Sequence, residues 1–173
     1  TGALLSDTVT FPGTLPASLD DTVKRIGYHQ DGLGRTDKVT SYSDAAGTTV
    51  VNEVALEYGP WGVVAKSMQD HAGEATATDP NVQYAYEDGA AGYEAKYLRP
   101  DYVTYPGPSS RRAVYYNYSD SGTGAVLGRL DNIASSGSPA AGDKYAAYTY
   151  MGASTLLKVD YPAVTGGLAL TYK

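Results

Sequence analysis

Ala113-Val114-Tyr115-Tyr116-Asn117-Tyr118, broken at once by Ser119-Asp120-Ser121-Gly122, is the stretch whose reading decides the fold. Val114, Tyr116 and Tyr118 alternate with Ala113, Tyr115 and Asn117, the period of two that a strand imposes on its faces. The same register, two residues and then a tyrosine at every second position, returns as Val54/Leu56/Tyr58, Val82/Tyr84/Tyr86, Ala146/Tyr148/Tyr150 and Leu168/Leu170/Tyr172. An earlier copy, Ile26/Tyr28/Gln30, carries glutamine in the tyrosine slot. Successive slots, Gln30, Tyr58, Tyr86, Tyr118, Tyr150 and Tyr172, are separated by 28, 28, 32, 32 and 22 residues. Periods of this size mark repeat architectures, in which one small unit relies on its neighbours to cover its apolar face.

Outward from each slot the chain turns and returns. Asp31-Gly32-Leu33-Gly34 and Gly59-Pro60-Trp61-Gly62 have turn chemistry, and Arg35 and Arg129 follow the glycines Gly34 and Gly128. Counted from the glycine slot, the second and fifth residues repeat in type: Thr36/Val39, Val64/Ser67, Leu130/Ile133 and Leu156/Val159. A spacing of two and then three changes face unless one extra residue intervenes, so each returning strand is expected to carry a β-bulge. The expected fold is all-β: antiparallel hairpins repeated along a continuous curled sheet strip, with units starting near residues 24, 52, 80, 112, 144 and 167 over 24–173. Unit three has a longer loop from Glu87 to Tyr93, with Arg99-Pro100 delaying its return, and unit four has an insertion from Ser121 to Val126. Residues 1–23 do not fit the repeat and are expected to form an edge or cap, with Val9-Thr10-Phe11 as a short strand. The sixth unit holds only its first strand, which leads us to expect a piece of a longer repeat chain, or a subunit whose last strand is completed by a neighbour.

Composition agrees with short strands and turns: 17 Tyr stand against 1 Phe and 1 Trp, with 20 Gly and 9 Pro. A formal charge of −6 argues against a nucleic-acid partner, which needs clustered Lys and Arg. No apolar run is long enough to span a membrane. With no cysteine, disulfides, thiolate metal sites and a cysteine nucleophile are excluded.

The tyrosine-rich strand-turn-strand pattern with Asp31-Gly32-Leu33-Gly34-Arg35 and Leu127-Gly128-Arg129-Leu130 resembles the RHS/YD repeats of bacterial secreted and surface proteins. The phrases Val23 to Asp44 and Val159 to Pro162 look like the very large repeat proteins of environmental bacteria such as planctomycetes. The resemblance covers about residues 23–173. It implies an extracellular or cell-surface sheet strip, which in some members spirals into a shell around a toxin. The tyrosine-aspartate pair is nowhere intact: Gln30-Asp31 keeps the acid, while Tyr58, Tyr86, Tyr118 and Tyr150 are followed by Gly59, Glu87, Ser119 and Met151. Five or six hairpins are too few to close a large shell.

His29 and His71 are the two side chains that titrate near neutrality, and no Gly-x-Ser-x-Gly elbow accompanies them; both read as solvated residues near turns. Asp20-Asp21 and Glu87-Asp88 are adjacent surface acids, not acids facing each other across a cleft. The acidic turns leave room for a weak calcium site, and no other cofactor is expected. Tyr102, Tyr105 and Tyr115, with Tyr93 and Tyr97, lie outside the repeated slot and are candidates for stacking on sugar rings, the competing reading being cross-strand ladders. Asn117-Tyr118-Ser119 matches a glycosylation acceptor, but Tyr118 sits at a strand end.

The leading expectation is a structural, non-enzymatic extracellular protein that builds a shell, fibre or surface layer by sheet-edge self-assembly. Leu168, Leu170 and Tyr172 form the expected assembly edge, and the partner is another copy or the remainder of a longer repeat chain. A carbohydrate-binding or adhesion module with a polysaccharide partner is the alternative, followed by part of a toxin-enclosing cage.

Overall fold

The computed structural model describes residues 2–10, 16, 18–87, 98–107, 109–164, 166 and 168–172. Twelve strands follow one another: β1 (Ser6–Thr8), β2 (Arg25–Gln30), β3 (Thr36–Tyr42), β4 (Val50–Tyr58), β5 (Val64–Asp70) and β6 (Asn81–Glu87), then β7 (Arg99–Tyr105), β8 (Arg112–Tyr118), β9 (Leu130–Ala134), β10 (Lys144–Met151), β11 (Thr155–Tyr161) and β12 (Leu168–Thr171). They lie in the sheet in chain order, as an antiparallel meander that does not close on itself. The protein is therefore all-β, as the alternation implied. The α-helix among the described residues is the single turn α1 (Gly122–Val126), which takes up the insertion of the fourth unit. The strands pack as two compact units, 1–83 and 84–173, and the division falls inside β6.

The bulge stands at the same place in four hairpins. Gln30 opposes Thr36 and His29 opposes Lys38, so Asp37 is the extra residue. Ala65, Asp131 and Leu157 hold that position where Tyr58 opposes Val64, Tyr118 opposes Leu130 and Tyr150 opposes Leu156. The extra residue restores the face, so that Val39 meets Tyr28 and Val159 meets Tyr148 across the ladder.

Register also places the two end strands. Asp7 opposes Ile26 as Val39 opposes Val54, so β1 stands where a returning strand stands. Counting back, Gly2 and Ala3 take the places of Gly34 and Arg35. The strand is Ser6–Thr8 instead of Val9-Thr10-Phe11: Val9 adds one bond, its N–H donating to the Lys24 carbonyl at 2.9 Å, and Phe11 lies outside the described residues. At the other end Val159 opposes Leu170, whereas Val39, Ser67 and Ile133 oppose Val54, Val82 and Ala146, each four residues before its slot. Tyr172 thus corresponds to Leu56, Tyr84 and Tyr148, two residues ahead of the slot where alternation alone put it.

Within the first unit the most buried residues, Thr40, Glu53, Ala55, Met68 and Asn81, share the face opposite the tyrosine slots. The β5–β6 loop accounts for part of this: the Ala75 N–H donates to Glu53 Oε1 at 3.2 Å, bringing the loop to that face. Glu53, only 4% exposed, also accepts from Thr40 Oγ1 at 2.6 Å and Lys38 Nζ at 3.2 Å. In the second unit Val103, Ala146 and Val159 are buried on the slot face and Ala134 and Asn132 on the other. No large side chain among the described residues is completely buried. Stability must therefore lean on cross-strand pairs and polar contacts more than on a thick core. Glu53→Ala strips Thr40 and the Ala75 N–H of their shared acceptor, and should cost about 1–3 kcal/mol in urea unfolding. An unchanged urea midpoint, with no faster amide exchange at Ala75, would remove this anchor from the account.

Candidate functional site

The most organised polar chemistry of the chain runs along its turns. Asp31 Oδ1 accepts the N–H groups of Leu33 at 2.9 Å and Arg35 at 3.0 Å, and Gly34 closes the turn at φ +79°. Oδ2 receives Arg35 Nε at 2.7 Å and Nη2 at 2.6 Å. Chiefly the bond from the Arg35 N–H, then that from its side chain, holds the Asp31 carboxyl below the ordinary carboxylate range. Held in this fork, the guanidinium lies over the ring of Tyr58, 4.1 Å from its centroid, and Tyr58 belongs to the next hairpin. Tyr58 in turn donates its hydroxyl to the Thr36 carbonyl at 2.7 Å. Acid, arginine and tyrosine stitch one turn to the next.

The second unit repeats the device. Glu87 Oε2 meets Arg99 Nε at 2.5 Å, and the Arg99 guanidinium sits 3.8 Å from the centroid of Tyr118. Arg129 lies 5.2 Å from the Tyr150 centroid and donates to the carbonyls of Gly152 and, at 3.1 Å, Ala153; Tyr150 donates to the Leu130 carbonyl at 3.0 Å. Burial pushes the Tyr118 and Tyr150 hydroxyls up, while Arg99 and Arg129 pull the other way. Gly62 and Gly128 are favoured on two counts: both have positive φ, and a Cβ would stand a tight 3.2 Å from Arg35 Nη1 and 3.3 Å from Arg99 Nη1 respectively. On the opposite margin Arg25 reaches Tyr42, 6.0 Å from its centroid, and donates to the Ala46 carbonyl at 2.9 Å.

Sequence reasoning singled out Arg35, Arg129, Gly34, Gly62 and Gly128, and these lie in or beside the stitches. It missed Arg99, Glu87 and Arg25. Arg99 stands directly at the return and Glu87 directly after the slot, as Arg35 and Asp31 do, which is the signal that finds them. The second turn has Gly59 and Val63 in those two places. It holds instead Trp61, 75% exposed and at φ +68°, a left-handed conformation that costs an L-residue roughly 1–2 kcal/mol.

The other candidates are dispersed. Tyr102 and Tyr115 pack on each other across β7 and β8, centroids 5.0 Å apart, and so form a ladder; Tyr105 is exposed, and Tyr93 and Tyr97 lie outside the described residues. Gln30 ends β2 and Tyr86 is the last residue but one of β6, and both are half-buried. Leu168, Leu170 and Tyr172 are exposed at the β12 edge. Asn117 Nδ2 already donates to Asn132 Oδ1 at 2.9 Å and to the Ser136 carbonyl at 3.2 Å, so the glycosylation match falls on an engaged amide. His29 is in β2, 2.5 Å from the bulge residue Asp37, and His71 is exposed in the β5–β6 loop. Among the described residues no three His, Asp or Glu side chains converge to hold a metal ion, and no helix is long and apolar enough to cross a membrane. A groove of about 470 Å³ beside β12 is lined by Lys144, Ala147, Asp160, Tyr161, Leu168 and Ala169, among others.

No protein-family model matches the sequence, and comparison with curated proteins returns no match.

Two outcomes test the turn chemistry. A double-mutant cycle of Arg35→Ala with Tyr58→Leu should give a coupling energy of about 0.5–2 kcal/mol, and zero coupling would leave the stacking without energetic weight. At the β3–β4 turn, burial pushes the Asp44 carboxyl up, but bonds from the N–H groups of Thr49 and Thr48 outweigh it and leave the pKa at about 2. An unfolded aspartate titrates at about 3.9, so the Asp44 contribution is whole above about pH 4 and is lost as pH falls through about 2. Asp44→Asn should flatten that part of the urea midpoint plotted against pH.

Proposed function

We propose that this chain is a structural β-hairpin repeat strip of RHS/YD character, extracellular or at a cell surface, that builds a shell, fibre or layer by sheet-edge self-assembly. The observation that carries the reading is the stitch between successive turns, made of the same residue types in both units. A contact that recurs between one hairpin and the next, at Arg35–Tyr58, Arg99–Tyr118 and Arg129–Tyr150, suits a scaffold that grows by addition of units. It also supplies a physical reason for the tyrosine-acid pairing of such repeats: the acid after one slot holds the arginine that stacks on the tyrosine of the next. Open edges support the assembly, because β1 and β12 end the sheet and Leu4, Leu5, Val9, Leu168, Leu170 and Tyr172 on or beside them are exposed. Light scattering over rising concentration, with negative-stain images, tests the reading. Masses above the 18.2 kDa chain are expected, and a mass fixed at 18.2 kDa throughout would overturn self-assembly.

A further inference from the structure

Resting on that reading, we infer that assembly of the 173-residue chain is head-to-tail, with β12 of one copy and β1 of the next as the two strands of one split hairpin. In every hairpin an outgoing strand pairs with the returning strand that follows it. β12 is an outgoing strand, because it lies against the returning strand β11 as β4 lies against β3. β1 is a returning strand, because it lies against the outgoing strand β2 as β3 lies against β4. Each thus presents to the open side the edge that its missing partner would cover, and the two edges are complementary.

The pairing template fixes the register. In the second hairpin Leu56, Ala55 and Val54 oppose Ser67, Met68 and Gln69. Their counterparts are Tyr172, Thr171 and Leu170 on one copy and Asp7, Thr8 and Val9 on the other.

Backbone direction agrees independently. The Leu5 carbonyl and the Val9 N–H bond to β2, so by alternation Thr8 turns its N–H and C=O to the open side. The Tyr172 N–H bonds to the Leu157 carbonyl of β11, so Thr171 turns its own to the open side. Thr171 and Thr8 therefore meet as a hydrogen-bonded pair, flanked by pairs whose backbone groups point away, as an antiparallel ladder requires. A slip by one residue would oppose groups that face the wrong way. The side chains agree as well: Leu170 and Val9, both exposed, meet on one face and the two threonines on the other. A contact between two different patches propagates in one direction and, if the rotation does not close, gives a filament.

Proline separates the edges. Thr171→Pro removes an N–H that the folded chain does not use and that the split hairpin needs; Thr8→Pro does the same on β1, and edge strands accept proline with its missing N–H toward solvent. Each variant alone should lose at least about tenfold in association constant, an edge bond and its fit being worth about 1.4 kcal/mol or more. Mixed together, each supplies the edge that the other lacks, and sedimentation should show a species of twice the chain mass and nothing larger. Val9→Lys changes no backbone bond and places a charge at an already exposed position, so it should also weaken association while leaving the urea midpoint in place. If the unmodified chain associates and both proline variants associate equally well, self-assembly stands and the split hairpin is overturned. Growth of the mixture beyond two chains overturns it too. A wild-type chain that stays at 18.2 kDa overturns both readings.

Discussion

A guanidinium pressed onto a neighbour's tyrosine ring is the interaction on which the rest of the strip depends. In the first turn the arginine is fixed by an acid of its own turn and reaches a ring of the next, so local and non-local order are joined in one side chain. The arrangement compensates for a core in which small side chains such as Ala55, Ala134 and Ala146 provide much of the burial. Tyrosine suits the role better than phenylalanine, because its hydroxyl caps a carbonyl of the preceding returning strand at Thr36 and Leu130.

The repeated bulge makes this geometry available. By inserting one residue three places after Gly34, Gly62, Gly128 and Ser154, it lets the residue opposite the slot and the residue three further on share a face despite odd spacing. The turn arginine stands just before that insertion. Glycines at positive φ in the receiving turns leave room for the incoming guanidinium, so a turn residue is chosen both by its own conformation and by its neighbour's side chain.

Much of the fold was legible because strand alternation and glycine turns are local signals. The bulge too was legible, from spacing that makes no sense without it. The parts that escaped are those that need pairing. Alternation has a period of two and cannot detect a shift by two, so only the opposition of Val159 and Leu170 places Tyr172. The Asp31–Arg35 pair spans four residues and is visible in the turn, whereas Glu87 and Arg99 are twelve apart, too far for spacing alone to join them. Glu53 reads as an outward-facing polar residue until the β5–β6 loop folds back onto it.

Strand order equal to chain order has a mechanical meaning. Each strand is bonded to the strands that precede and follow it in the sequence, so tension applied along the chain peels ladders open from an end instead of shearing many bonds at once. Repeats spaced by 28 or 32 residues, once freed and fully extended, span at most about 90–115 Å each at roughly 3.3–3.6 Å per residue. Strand order of this kind favours opening hairpin by hairpin over rupture of the whole sheet at once, so that each folded hairpin is a length of chain held in reserve.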